Sequence, residues 1–147
     1  MTMHRRPVGR SRLLAAIGAL LVLAGCFLPW WTVFGGADGL PAISGNAFDS
    51  TGIVVFAAAI ATLALVTLPY ASERPVPADR WTSYAIIAAA GWLGFAYRVL
   101  DLATNSAFQF SEPAEVVTRI PGLWLAGIGL VIIARATYEM LQEPRLR

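Results

Sequence analysis

The sequence predicts an all-α integral membrane protein, a single four-helix bundle with both termini cytoplasmic. Three observations carry this expectation. Of the 147 residues, 57% are hydrophobic and 14% charged, where a soluble domain carries about 25% charged residues. A chain this small has too much surface for its volume to hide that excess in a core, so lipid must cover it. Second, four segments are each apolar over the ~20 residues that a helix needs to cross a hydrocarbon core about 30 Å thick. Third, the arginines are segregated. All eleven basic residues are arginine, and nine of them (Arg5, Arg6, Arg10, Arg12, Arg74, Arg80, Arg135, Arg145 and Arg147) share one side if four spans alternate. Short arginine-rich loops stay cytoplasmic. Both termini and loop 71–80 are therefore expected inside, and loops 32–51 and 101–120 outside.

The first span is expected over residues 13–31. Within it, Leu23-Ala24-Gly25-Cys26 has the form of a lipobox, preceded by arginines and an apolar run as a secretory signal requires. Cleavage there would leave a lipidated Cys26 and three spans. A lipidated cysteine leads into a polar tether, whereas Phe27-Leu28-Pro29-Trp30-Trp31 continues the apolar run to a tryptophan pair. The uncut, four-span reading is preferred. Arg5-Arg6 also resembles a twin-arginine signal, but orientation alone explains arginines before a first span. Trp30, Trp31 and Trp124 are expected in an aromatic belt at the outer interface, and Tyr70, Trp81 and Tyr138 at the inner one.

Loop 32–51 ends in Ser-Gly-Asn-Ala-Phe-Asp-Ser-Thr-Gly. Asp49 and Ser50 suit an N-cap for the second span, expected over 52–70, with the carboxylate favoured at the positive helix end. Spans two and three (81–100) are joined by a short loop and should be antiparallel neighbours. Arg98 can pair with Asp101 at i, i+3. With Tyr97, it could alternatively meet an anion or headgroup. Asn46, Asp49, Arg98 and Asp101 form a candidate outward polar cluster.

In loop 101–120, Ser111 and Pro113 can start a short amphipathic helix in which Glu115 and Arg119 pair at i, i+4. The last span is expected over 121–138, with Arg135 snorkelling and pairing with Glu139. Small residues recur at helix-contact spacing: Ala57, Ala61 and Ala64 on span two; Ala85 and Ala89 with Trp92 on span three, and Ala90 and Gly94 at i, i+4 beside them; Gly122, Ala126 and Gly129 on span four. Such faces let backbones approach closely where packing drives association, either within the bundle or against another protein.

Chemistry-bearing motifs are sparse. One cysteine and one histidine, His4, exclude an internal disulfide and a bis-histidine haem. No phosphate loop, nucleophile elbow, metal-ligand cluster or nucleic-acid surface is found, so no cofactor and no nucleic-acid partner is expected. Spans one and two contain no ionisable carboxylate or base of the kind that ion-coupled carriers bury.

Leu28-Pro29-Trp30 at the exit of span one, Ser44-Gly45-Asn46 in the outer loop and Gly52 starting the next helix resemble small four-span membrane proteins of GC-rich, actinobacterial-type bacteria. That resemblance implies a bacterial inner-membrane protein and carries no agreed activity. Small multidrug exporters have a glutamate in span one, and claudin-like proteins an outer cysteine pair; this chain has neither. The expected function is non-enzymatic: an accessory or scaffold subunit of an inner-membrane complex, contacting membrane lipids and either other membrane subunits or itself. The alternative is a homo-oligomeric transporter or lipid-handling protein with an outward polar entrance. A membrane enzyme using Asp38, Asp49 and Glu112 ranks last.

Overall fold

Four long helices dominate the computed structural model, which describes residues 9–33, 39–71, 80–105, 108, 110 and 112–143. Expectations resting on His4, Arg5, Arg6, Asp38, Arg74, Ser111, Arg145 and Arg147 lie outside those residues. In order, the elements are helix α1 (Arg10–Phe27), strands β1 (Trp31–Val33) and β2 (Ile43–Gly45), a 3-10 turn (Ala47–Asp49), α2 (Gly52–Ala71), α3 (Trp81–Thr104), the short α4 (Pro113–Thr118) and α5 (Pro121–Gln142). α1, α2, α3 and α5 are each long and apolar enough to cross a membrane. They also present large apolar side chains outward, including Leu20, Ile86, Leu93, Ile128 and Val131. A helix apolar on all sides in so small a bundle belongs in lipid.

The first helix stops four residues before the expected Trp31. The cause is local: Leu28 precedes Pro29, and clash with the proline ring pushes such a residue out of helical conformation. Leu28 accordingly takes φ −87°, ψ 161°. The freed segment Trp31–Val33 pairs antiparallel with Ile43–Gly45, Trp31 opposite Gly45 and Val33 opposite Ile43. This hairpin was not foreseen from the loop's composition.

The helices form a closed circuit in which α1 packs on α5 and α2, and α3 on α2 and α5. The α1–α5 contact is antiparallel and nearly backbone to backbone. A methyl group at Gly25 would lie 2.6 Å from the Ala126 nitrogen and 2.8 Å from the Gly122 oxygen. Two turns away, one at Gly129 would lie 2.6 Å from the Gly18 oxygen. Of the expected small-residue faces, Gly122, Ala126 and Gly129 thus serve the bundle's own packing, against Gly18 and Gly25 of α1.

The face on α2, and the alanines of the face on α3, do not serve packing within the bundle as these do. On α2, Ala57 and Ala64 are exposed and Ala61 is half-buried; the inward face is Gly52, Val55, Ala58, Ala59, Thr62, Leu65 and Val66. On α3, Ala89 and Ala90 point outward, while Tyr84, Ala88, Gly91, Gly94 and Arg98 point in. The two possible inward stripes on α2 are offset by one residue and both are apolar, so helical spacing alone could not choose between them.

Two buried threonines within the long helices are satisfied by their own helix, as a medium without water demands. Thr62 Oγ1 donates to the Ala58 oxygen at 2.8 Å and Thr137 Oγ1 to the Ile133 oxygen at 2.9 Å. Arg135 Nε reaches Glu139 at 3.1 Å while largely exposed, as expected. At the end opposite the hairpin, buried Ser11 donates to Glu143 at 2.5 Å, joining the first turn of α1 to the last of α5.

Candidate functional site

The hairpin end gathers the candidate site residues, and its anchor is the Leu28-Pro29-Trp30-Trp31 stretch. Trp30 is completely buried, which corrects its assignment to an aromatic belt. Its indole nitrogen donates to the Gly25 oxygen at 2.9 Å, and its ring meets Phe95 edge-on at 5.8 Å. Phe95 in turn meets Trp92. Trp124 is half exposed instead, and donates from its indole to the Val116 oxygen at 3.0 Å. The sequence could not separate these roles, because both tryptophans sit at an apolar–polar boundary.

Backbone bonds then tie the hairpin to the helix ends. The Trp30 amide donates to the Gly45 oxygen at 2.7 Å, and the Gly122 amide to the Pro29 oxygen at 3.0 Å. Thr32 Oγ1 donates to the Arg119 oxygen at 2.8 Å. α4 is held by Arg119 on Glu115 at 3.1 Å, the expected i, i+4 pair. Residues 29–32 thus bridge the segment before α5 and the loop before α2.

The four members of the expected polar cluster fall into two groups. Asn46 Oδ1 accepts from the Phe48 amide at 3.0 Å and caps the 3-10 turn. Asp49 closes that turn with its Oδ2 folded over Gly45, beside the Trp31 indole nitrogen. It is not the cap of α2, whose first turn is instead closed by Ile53 donating to Ser50 and Val54 to Thr51 through the backbone. A Cβ at Gly45 would collide with both side chains as they stand, so any other residue would require them to shift.

The second group belongs to α3. Arg98 Nη1 meets Asp101 Oδ2 at 2.6 Å, and Asn105 Nδ2 donates to Asp101 Oδ1 at 2.9 Å. Arg98 is only 6% exposed and its Nε has no hydrogen-bond partner. Among the described residues, no hydrogen bond or ion pair joins Asn46 or Asp49 to Arg98 or Asp101.

Helix register adds a residue that the sequence did not single out. α2 and α3 run antiparallel, with Gly91 against Ala58 and Gly94 against Val54. Stepping from Gly91 to Arg98 and back equally from Ala58 arrives at Thr51. Its Oγ1 is also buried without a partner. Two buried polar atoms without a partner, Thr51 Oγ1 just before α2 and Arg98 Nε on α3, thus lie towards the hairpin end.

A four-helix bundle with lipid-competent outer faces, closed at one end by a hairpin and a short helix, defines the chain as a small membrane protein. Comparison with protein-family models, with curated proteins and with solved structures finds no match.

Proposed function

We propose that this small membrane protein is a non-enzymatic accessory or scaffold subunit of a bacterial inner-membrane complex, with both termini in the cytoplasm. The observation that carries the reading is the Ala57–Ala61–Ala64 face of α2. The bundle meets its own need for close helix contact elsewhere, through Gly18 and Gly25 against Gly122, Ala126 and Gly129. α2 nevertheless turns a second, shallow small-residue stripe outward. In lipid, such a surface suits a close-packed helix of another subunit, since association there depends on backbone approach. The paired Arg98–Asp101 and Arg135–Glu139 charges fit structural anchoring, and the arginine asymmetry supports the orientation.

The test is purification in a mild detergent followed by identification of co-purifying chains. Stoichiometric membrane subunits that are lost in Ala57→Leu and Ala64→Leu, with the bundle still folded, are expected. A clean homo-oligomer carrying bound lipid or a small molecule would overturn the reading. Reporter fusions at both termini test the orientation.

A second reading, a homo-oligomeric transporter or lipid-handling protein, is favoured by one observation: Arg98 Nε and Thr51 Oγ1 are both buried without a partner towards the hairpin end, as a polar entrance would require. Loss of transport in Arg98→Gln with assembly intact would support it over the subunit reading.

A further inference from the structure

The three residues of the 3-10 turn go to three places. Ala47 is fully buried, its backbone pressed against Gly52. Asp49 folds over Gly45. Phe48 between them turns sideways, and its ring meets Phe56 at 5.1 Å and Phe27 at 5.4 Å, while Phe27 and Phe56 are 6.1 Å apart. The rings close a triangle over the groove between α1 and α2.

Its depth and its exposure are the informative features. Phe56 lies four residues inside α2, about 6 Å below the helix start at 1.5 Å per residue. Phe48 precedes that helix, yet its ring packs on the side chain of a second-turn residue. The triangle is not covered by the protein: Phe27 is 65% exposed and Phe48 38%. Ile53, on the same first turns of α2, is more than half exposed. The patch is thus continuous with the apolar outward surfaces of α1 and α2, and its polar neighbours are turned elsewhere, Asn46 into its own turn and Asp49 towards the hairpin.

We propose that the turn Ala47–Asp49 is a membrane anchor, with the Phe48 ring inserted at the boundary between headgroups and acyl chains of the leaflet at the hairpin end. The occupant of the patch is lipid, because the surface it extends is the one that the spanning helices already give to lipid. A phenyl ring at this depth loses its contact with water at no polar cost, and the capped turn leaves no unpaired amide at Phe48 to carry into the interface. The consequence is that the turn Ala47–Asp49 lies on the membrane rather than standing away from it. This inference requires that the helices cross a membrane and that any subunit on the Ala57–Ala61–Ala64 face leaves the three phenyl rings uncovered.

The full chain is tested in vesicles of phosphatidylcholine and phosphatidylglycerol. On a Cys26→Ser background, spin labels at Phe48→Cys and Ser44→Cys are compared for collision with oxygen and with a water-soluble nickel chelate. The label at 48 should favour oxygen and the label at 44, on an exposed strand residue, the chelate. Equal chelate access at both positions overturns the proposal, and so does protection of 48 from both reagents, which would mean a protein covers it. The wild-type chain provides a measurement free of mutation. A phospholipid with a photoreactive group high on its acyl chain should form adducts within residues 46–49; adducts on Ile53 and Phe56 with none in that turn would overturn the anchor.

Discussion

The indole nitrogen of Trp30 donates a 2.9 Å hydrogen bond to the carbonyl oxygen of Gly25. The last carbonyls of a helix have no partner within it, and in a membrane bundle water is not at hand to supply one. Pro29 ends α1 and Trp30 returns to close it. Replacing Trp30 by Phe keeps most of the packing against Phe95 but removes the shorter of the two hydrogen bonds on that carbonyl, leaving the 3.3 Å bond from the Leu28 amide, at a cost of about 0.5–1.5 kcal/mol. Trp30→Ala also opens a cavity and should cost about 3–5 kcal/mol. Thermal unfolding in detergent should rank wild type above Trp30→Phe above Trp30→Ala. Equal loss in both variants would mean that the hydrogen bond contributes nothing.

The contact between α1 and α5 predicts sensitivity to a single methyl group. At Gly25 that methyl would lie 2.6 Å from the Ala126 nitrogen, and backbone cannot yield as a side chain can. Gly25→Ala should therefore destabilise by about 1–3 kcal/mol, the usual range for overpacking, and Gly25→Leu should prevent assembly of the bundle. Ala24→Leu, one residue away on an exposed position, should change little. Unfolding midpoints of the three variants check this; a tolerated Gly25→Leu would show that the helices do not meet as described.

The fold was largely legible because hydropathy is a property of composition and order. Hydropathy located four helices, and the pairs Arg98–Asp101, Glu115–Arg119 and Arg135–Glu139 follow from helical spacing alone. What was not legible depends on the rotation of each helix. The stripes Ala57–Ala61–Ala64 and Val55–Ala58–Thr62 are equally apolar, so only packing decides which faces inward. Gly18 and Gly25 carry a readable signal, two glycines seven residues apart, but their meaning depends on Gly122 and Gly129 lying opposite. At the candidate site, Asn46 and Asp49 were grouped with Arg98 and Asp101 because all four were expected at one end. Local turn geometry took the first two for itself, and the unpaired Thr51 emerged only from the register of α2 against α3.

Cys26 is fully buried in α1, one residue from the closest approach of α1 to α5. Cleavage before it would remove the helix from Arg10 to Gly25 and expose the glycine face of α5. Mature protein is thus expected to retain α1: intact mass should include these residues, with no lipid on Cys26. The folded protein in vesicles should resist maleimide and react after denaturation. A lipidated chain starting at Cys26 would refute the four-helix bundle directly. Rapid maleimide labelling of folded protein would instead contradict the burial of the thiol.

Arg98 and Asp101 predict an asymmetry between their two single variants. Arg98 is 6% exposed, whereas the Asp101 side chain is 34% exposed and keeps Asn105 as a second partner at 2.9 Å. Removing the carboxylate strands a buried guanidinium whose Nε is already unpaired. Removing the guanidinium leaves a carboxylate that still has an amide and some access to water. Loss of one partner of a fully buried pair costs about 3–5 kcal/mol, so Asp101→Ala should approach the lower part of that range. Arg98→Met, an apolar chain of similar length in an apolar setting, should cost about 1 kcal/mol or less, since a well-packed apolar replacement can match a buried ion pair. The double variant should recover much of the Asp101→Ala loss, because the stranded charge is gone. Unfolding free energies of the two singles and the double form a closed cycle. Equal losses in the two singles would mean that Arg98 is solvated by something other than Asp101, and additive losses in the double would mean that the pair is not coupled.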